Sequence, residues 1–403
     1  MFFHKKYFDQ KLSPGFVALY SGKMLIVIAG GFWGIFLPIF LYRLFDENIH
    51  AVVGYYGFSS LIYAVTVAFG GMWINRFGIQ RALRLSTFAG ALFYLIFYFA
   101  NHDNRLIIVS LSLLVLTLYR ILYWIPYHID FAKFTNRRQR GRELSFLSVT
   151  EDILGIFIPV VAGFLIARFG FDVLFFIAIL LYVVSFLPYL TLPKTRESFQ
   201  WSYRETWKQF FSRGRRRAIL AFFADGAESI VGLVVWPIFL FQILQGNYLH
   251  VGALSTVVIA STVIIQLFVG KWIDVLHSRE ERLLHAGSAL YAAGWFLKIF
   301  IITAFQIFIV STYHAIAKIV MKIPFDTLTY EVAADEGHYV DEFTVLHEMA
   351  IHLGKVGMSL LVIVVAYFFP LQWTFILAAV AAIGLGILRP SAEIVDRTMR
   401  KRL

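Results

Sequence analysis

Long apolar runs follow one another along this chain with little between them. They fall roughly at 16–42, 50–72, 82–100, 106–129, 145–168, 171–192, 218–244, 250–273, 283–304, 305–328, 343–368 and 372–388. Each is near or above the ~20 apolar residues that a helix needs to cross a bilayer. An all-α polytopic membrane protein with twelve transmembrane helices is therefore expected. Only 15% of the 403 residues are charged, against about 25% in a soluble chain. Aromatics reach 18%, with 42 Phe, which suits lipid-facing and interfacial surfaces.

The net charge of +11 could suggest nucleic acid, but its distribution points to lipid. Twelve spans put both termini on one side, and most Lys and Arg fall there. The other side holds Arg43, Arg105 and Arg168. That bias places both termini in the cytoplasm of a plasma membrane, with anionic lipid as the partner of the basic charge and no nucleic acid. The start, residues 1–6, lacks the apolar core of a signal peptide, so the first helix is expected to insert uncleaved. The chain has no cysteine, which excludes disulfides, thiolate metal sites and cysteine nucleophiles.

A single offset of 199 residues aligns separate regions. It pairs Gly71-Met-Trp-Ile-Asn75 with Gly270-Lys-Trp-Ile-Asp274, and Pro38-Ile-Phe-Leu41 with Pro237-Ile-Phe-Leu240. It also pairs Glu143 with Glu342 and Leu154-Gly155 with Leu353-Gly354; an offset of 198 pairs Ile125-Pro126 with Ile323-Pro324. The chain thus reads as two duplicated halves, 1–192 and 218–403, joined by a linker at 193–217. In that linker Phe199, Tyr203, Trp207, Phe210 and Phe211 recur at helical spacing beside Arg204, Lys208 and the run from Arg213 to Arg217. This predicts an amphipathic helix on the cytoplasmic leaflet; a flexible tether is the plainer alternative.

The stretch Gly71, Asn75, Arg76, Gly78 and Arg81 resembles the loop between the second and third helices of major facilitator superfamily transporters. The family has Asp where Asn75 stands; the second copy keeps it as Asp274. In the fifth helix, Pro159 and Gly163 match the family's close-packing motif, while Ile158 and Ala162 replace its other glycines, which weakens an antiporter reading. The resemblance implies two pseudo-symmetric six-helix bundles. Helices 1, 4, 7 and 10 would line the cavity, 2, 5, 8 and 11 the interface between halves, and 3, 6, 9 and 12 the outside.

A charge inside the bilayer is costly, at least ~2.5 kcal/mol on insertion scales, and so is a functional candidate. Helix 4 carries Arg120, and the repeat matches it with Lys318 of helix 10, two cations at one depth. With Lys322 and His314 on the same face, they form the expected substrate-binding set for an anionic group; a structural ion pair at Arg120 is the alternative. Asp225 and Glu228 of helix 7 share a face, and two like charges there suit reversible protonation; a hydrated vestibule is the alternative. Glu151 and Asp152 of helix 5, with Glu348 and His352 of helix 11, complete the expected proton-coupling set; Glu151 or Asp152 could instead pair with Arg120. His347 and His352 are five apart, ~140° around a helix, so they cannot chelate as a zinc-protease pair does. Lys298, in an outer helix, is expected to snorkel or pack against a neighbour and not to bind substrate.

These residues point to a secondary transporter, monomeric and without cofactor. It would move a small anionic or zwitterionic solute by alternating access, coupled to protons. A divalent-metal or lipid transporter, and a receptor or enzyme on the same fold, are the alternatives; no catalytic motif is visible. At the cytoplasmic gate, Asn75 is expected to face Asp341 and Glu342 at the start of helix 11 without the repulsion an aspartate would meet. Asp274 is expected to face Arg140 and Arg142.

Overall fold

The computed structural model describes residues 13–134, 140–195, 199–275, 280–335 and 340–389. Within these, the side chains at 132, 140–146, 148, 267–275, 280, 330, 331, 333–335, 340 and 341 lie outside the description. Sixteen α-helices carry nearly all of the described chain. They are α1 Pro14–Trp33, α2 Phe36–Leu44, α3 Ile49–Phe77, α4 Ile79–Tyr98, α5 Arg105–Phe134, α6 Arg140–Phe169, α7 Asp172–Val184, α8 Phe186–Leu190 and α9 Tyr203–Phe210. After these come α10 Arg216–Ile230, α11 Trp236–Ile243, α12 Tyr248–Val275, α13 Glu280–Leu297, α14 Ala304–Asp335, α15 Val340–Phe368 and α16 Thr374–Gly384.

Among the described residues, ten helical stretches are long and apolar enough to cross a membrane. α4 falls short because Gln80, Arg81 and Arg84 occupy its first turns, and the apolar stretch Leu371–Ile387 is shorter than the rest. Large apolar side chains such as Phe58, Leu106, Phe157, Phe176, Ile302, Phe305 and Val364 stand on the outer surface. In water they would be a liability; against acyl chains they are the solvated face. The protein is an integral membrane protein.

Two stretches matched by the 199-residue offset share local geometry. The first apolar run is broken between α1 and α2. Its counterpart is interrupted by a π-helical turn, Val231–Val235, between α10 and α11. Pro38 and Pro237 sit just past these breaks, and a proline cannot donate to the carbonyl four residues back. Both runs then end in the same turn. Asp46 and Glu47 have φ of 54° and 64°, and Gln245 and Gly246 have 54° and 76°. The next residue in each, Asn48 or Asn247, accepts from the N–H three residues on, at 3.2 and 3.0 Å, and so caps α3 and α12.

α3 packs along α15, and α6 along α12. The second crossing is a backbone contact: a Cβ on Gly252 would stand 2.2 Å from the Pro159 carbonyl oxygen, and one on Gly163 2.5 Å from that of Tyr248. Thr256 Oγ1 also donates to the Ile156 carbonyl at 2.7 Å. At the end bearing the two matched turns, Gln242 donates to the Tyr42 hydroxyl at 2.8 Å and joins the two broken runs. α9 packs on α3, with Tyr203 stacked on Phe69 at 4.2 Å.

Candidate functional site

Lys298 begins a 3-10 turn at the end of α13. It is 3% exposed. Its ammonium lies 4.0 Å from the ring centroids of both Trp236 and Trp295. Such contacts attract a desolvated cation by about 2 kcal/mol or more. Beside it is a cavity of about 410 Å³ lined by Glu228, Lys298, Ser311, His314 and Lys318, with Trp236, Tyr291 and Trp295 as walls. Glu228 Oε1 accepts from the Tyr291 hydroxyl at 2.5 Å and from Trp295 Nε1 at 3.0 Å. The π turn preceding Trp236 contributes Gly232 and Leu233 to the wall. Lys298 thus packs against neighbours, one of the two outcomes expected of it, and it also faces a cavity.

The two acids of α10 go to different partners. Asp225 lies 3.9 Å from the Lys322 ammonium, which pairs with Asp326 at 2.9 Å. Lys322 belongs to this ion-pair group, whereas Lys318 and His314, on the same helix, line the cavity.

Arg120 donates to Ser59 Oγ at 3.0 Å and lies 5.7 Å from the Tyr63 ring centroid. Tyr63 meets His352 edge-on at 4.6 Å, so a side chain of α3 contacts one of α15. Glu348 sits between His347 and His352, at 4.0 and 3.9 Å. Lys355 and Arg120 are within its electrostatic range. No cluster of three or more metal-ligating side chains occurs among the described residues.

Glu151 pairs with Lys23 of α1 at 3.8 Å rather than with Arg120. Lys23 also lies 5.3 Å and 5.1 Å from the ring centroids of Trp124 and Tyr127. Sequence reasoning passed over Lys23 because one cation hardly dents a run as apolar as 16–42. Asp152 makes no hydrogen bond or ion pair among the described residues.

The loop motif holds the linker. Asn75 Nδ2 donates to the Phe199 carbonyl at 2.8 Å, and the Phe199 N–H donates to Asn75 Oδ1 at 2.9 Å. Glu342, at the start of α15, accepts from the next N–H, that of Gln200, at 2.7 Å. A Cβ on Gly71 would stand 2.9 Å from the Phe199 ring. Gly78, with φ of 81°, makes the turn from α3 to α4. Upstream, Gln80 donates to the Pro193 carbonyl and Thr195, and Thr195 donates to Asp130. Arg76 and Arg81 make no hydrogen bond or ion pair among the described residues; Arg84, unremarked in the sequence, caps α8 through the carbonyls of Tyr189 and Leu190. The expected contacts of Asp274 and Gly270, and those of Arg140, Arg142 and Asp341, fall outside the described residues.

Residues 24–224 match the profile of the Major Facilitator Superfamily. Solved structures with the same course of helices include three of its transporters' folds. The peptide transporter POT, in complex with sulfate, aligns with a TM-score of 0.71 at 10% identity over 96% of this chain and 95% of its own. The nucleoside transporter NupG aligns at 0.67 and 13% identity over 92% and 98%. FucP, a transporter of the superfamily in the outward conformation, aligns at 0.63 and 12% over 95% and 98%. The chain belongs to the major facilitator superfamily. Uncharacterized protein YqgE of Bacillus subtilis (strain 168) is 22% identical over 361 residues, 85% of this chain and 82% of that protein.

The major facilitator fold is that of a secondary transporter. Within it, the expected substrate set divides: Lys318 and His314 share a cavity, Lys322 joins the acids of α10 and α14, and Arg120 sits against α3.

Proposed function

We propose that this protein moves a small anionic or zwitterionic solute across the plasma membrane by alternating access, driven by protons. In this reading twelve spans, including α4 and the stretch 371–387, form two bundles, 1–192 and 218–403. Both termini and the linker 193–217 are cytoplasmic, with α9 on the leaflet surface, and the working unit is one chain. The carrying observation is that charged side chains of both halves converge in an otherwise apolar protein. Lys23 and Glu151 pair in one half, and Asp225, Lys322 and Asp326 in the other. His128 of the first half is within electrostatic range of both Lys23 and His347 of the second. Such groups are costly in a membrane unless they serve a path for solute or protons.

Lys318 and His314 hold the solute in this account, with Lys322 and Arg120 setting the field around it. Glu151, Asp152, Asp225, Glu228, Glu348 and His352 carry the coupling proton. The wealth of intramembrane cations disfavours a metal-ion cargo. Purified protein screened by thermal shift against organic anions, amino acids, sugars, lipids and metals, then assayed for uptake in proteoliposomes, tests the reading. Uptake of an anion or zwitterion that rises with an inward proton gradient and falls with a protonophore is expected. Uptake indifferent to both, or flux of metal ions alone, contradicts it.

A further inference from the structure

The cavity beside Lys298 presents buried polar groups that the fold leaves unused. Among the described residues, Lys298 makes no ion pair and no hydrogen bond; it touches the two indole faces, and Glu228 is within its electrostatic range. Ser311 Oγ and His314 Nδ1, both buried, have no hydrogen-bond partner among the described residues, and Nδ1 lies against Gly294, outside the cavity lining. All three line one cavity, with the more exposed Lys318 beside them. A buried polar group without a partner is unfavourable, and Lys298 and Ser311 line one cavity. Two ammonium groups and a hydroxyl call for a ligand rich in acceptor oxygens.

Charge narrows the class. Glu228 is the one carboxylate lining the cavity, and Lys298 and Lys318 are its two ammonium groups. Glu228 directs Oε1 to Tyr291 and Trp295, so its acceptor capacity is partly taken. Counted by formal charge, one carboxylate against two lysines leaves one positive charge. Buried charge is tolerated when it is compensated, so the matching ligand carries one negative charge. Shape narrows it further. Gly232, Leu233, Val258 and Ala315 make an apolar part of the wall. A volume of about 410 Å³ is near the small end of the ~300–1,000 Å³ usual for small-molecule sites.

We infer that this cavity seats a small organic monocarboxylate, its carboxylate oxygens accepting from Lys298 and Ser311 and its short apolar body lying toward Leu233, Val258 and Ala315. Lys298, expected from its outer helix not to bind substrate, is then a substrate-binding residue. The indole faces of Trp236 and Trp295 keep its ammonium in place while the cavity is empty. This inference rests on the transporter reading and specifies its substrate class and its subsite.

The test uses purified full-length protein in nanodiscs, titrated by calorimetry with butyrate, butyramide, succinate and 4-aminobutyrate. Butyrate is expected to bind at least roughly tenfold more tightly than the other three, which lack its single charge or add another. Lys298→Gln should weaken butyrate by roughly 10- to 100-fold, the loss expected of a charge-assisted hydrogen bond. Ala315→Phe keeps every charge and fills the cavity, so it should abolish binding while the protein stays monodisperse. Should Lys298→Gln fail to fold, Ala315→Phe and Ser311→Ala decide in its place. Equal affinity for butyrate and butyramide, tighter binding of 4-aminobutyrate or succinate, or butyrate binding intact in Ala315→Phe overturns the inference. Proton-driven uptake of another solute, undiminished in Ala315→Phe, would remove this subsite and leave the transporter standing. Tight butyrate binding without flux of any solute would keep the subsite and remove the transporter.

Discussion

Asn75 and Phe199 exchange two hydrogen bonds, the amide side chain of one donating to and accepting from the backbone of the other. The pairing ties the linker to the end of α3, and one residue later Glu342 ties it to α15. An aspartate at position 75 could accept from Phe199 N–H but could not donate to its carbonyl. Amide chemistry therefore accounts for the departure from the family pattern. The like charge of Glu342, one linker residue away, adds to the penalty an acid would meet.

Asn75→Asp should loosen the linker. One lost hydrogen bond is worth about 1 kcal/mol, and carboxylate repulsion acts in the same direction. Proteolysis of the purified protein between 193 and 211 should quicken about fivefold for each kcal/mol. An unchanged rate, with unchanged Tm, would argue that the exchange does not hold the linker.

Gly71→Ala puts a methyl 2.9 Å from the Phe199 ring and should displace it. Phe199→Ala removes the obstacle. The double variant should therefore be less destabilised than the two single losses added together, with a coupling of about 0.5–3 kcal/mol, as for residues in contact. Thermal unfolding of the four proteins measures it. Strict additivity would mean that Gly71 has another reason to be glycine.

At the opposite end, Asp46 pairs with Arg105 and His102. The hydrogen bond from Arg105 holds the Asp46 carboxyl below its ordinary value of 3.8. A carboxyl lowered in the folded state contributes stability above its unfolded pKa and loses it as pH falls toward the folded one. Asp46→Asn should lower Tm at neutral pH, and the gap between the two proteins should close as pH drops through and below 3.8. A gap that persists or widens in acid would assign the effect to the backbone turn instead.

Local pattern made much of the fold legible. The offset of 199 residues marks both broken runs through Pro38 and Pro237, and it would also have matched Asn48 with Asn247, the two helix caps. Intramembrane charges were legible as exceptions in apolar text. Their partners were not, because pairing depends on which helix faces which. Lys23 meets Glu151 across 128 residues of sequence. Lys298 was assigned outward with its helix. Trp295, three residues earlier and so on the same face, was the available hint, but Trp236 comes from another helix altogether. Asn75 was paired in expectation with a helix start because the linker near Phe199 has no regular pattern to suggest a partner.

Alternating access by two halves is the central claim, and the cysteine-free chain allows it to be measured directly. His50 and Tyr367 stand 6.3 Å apart, ring to ring, at the end away from the linker. Spin labels on His50→Cys and Tyr367→Cys report that separation by electron paramagnetic resonance. We predict a short distance as in this structure, with a second, longer population that grows or shrinks with pH and with transported anion. A single short distance, unmoved by pH or by any solute that the protein carries in proteoliposomes, would contradict the account.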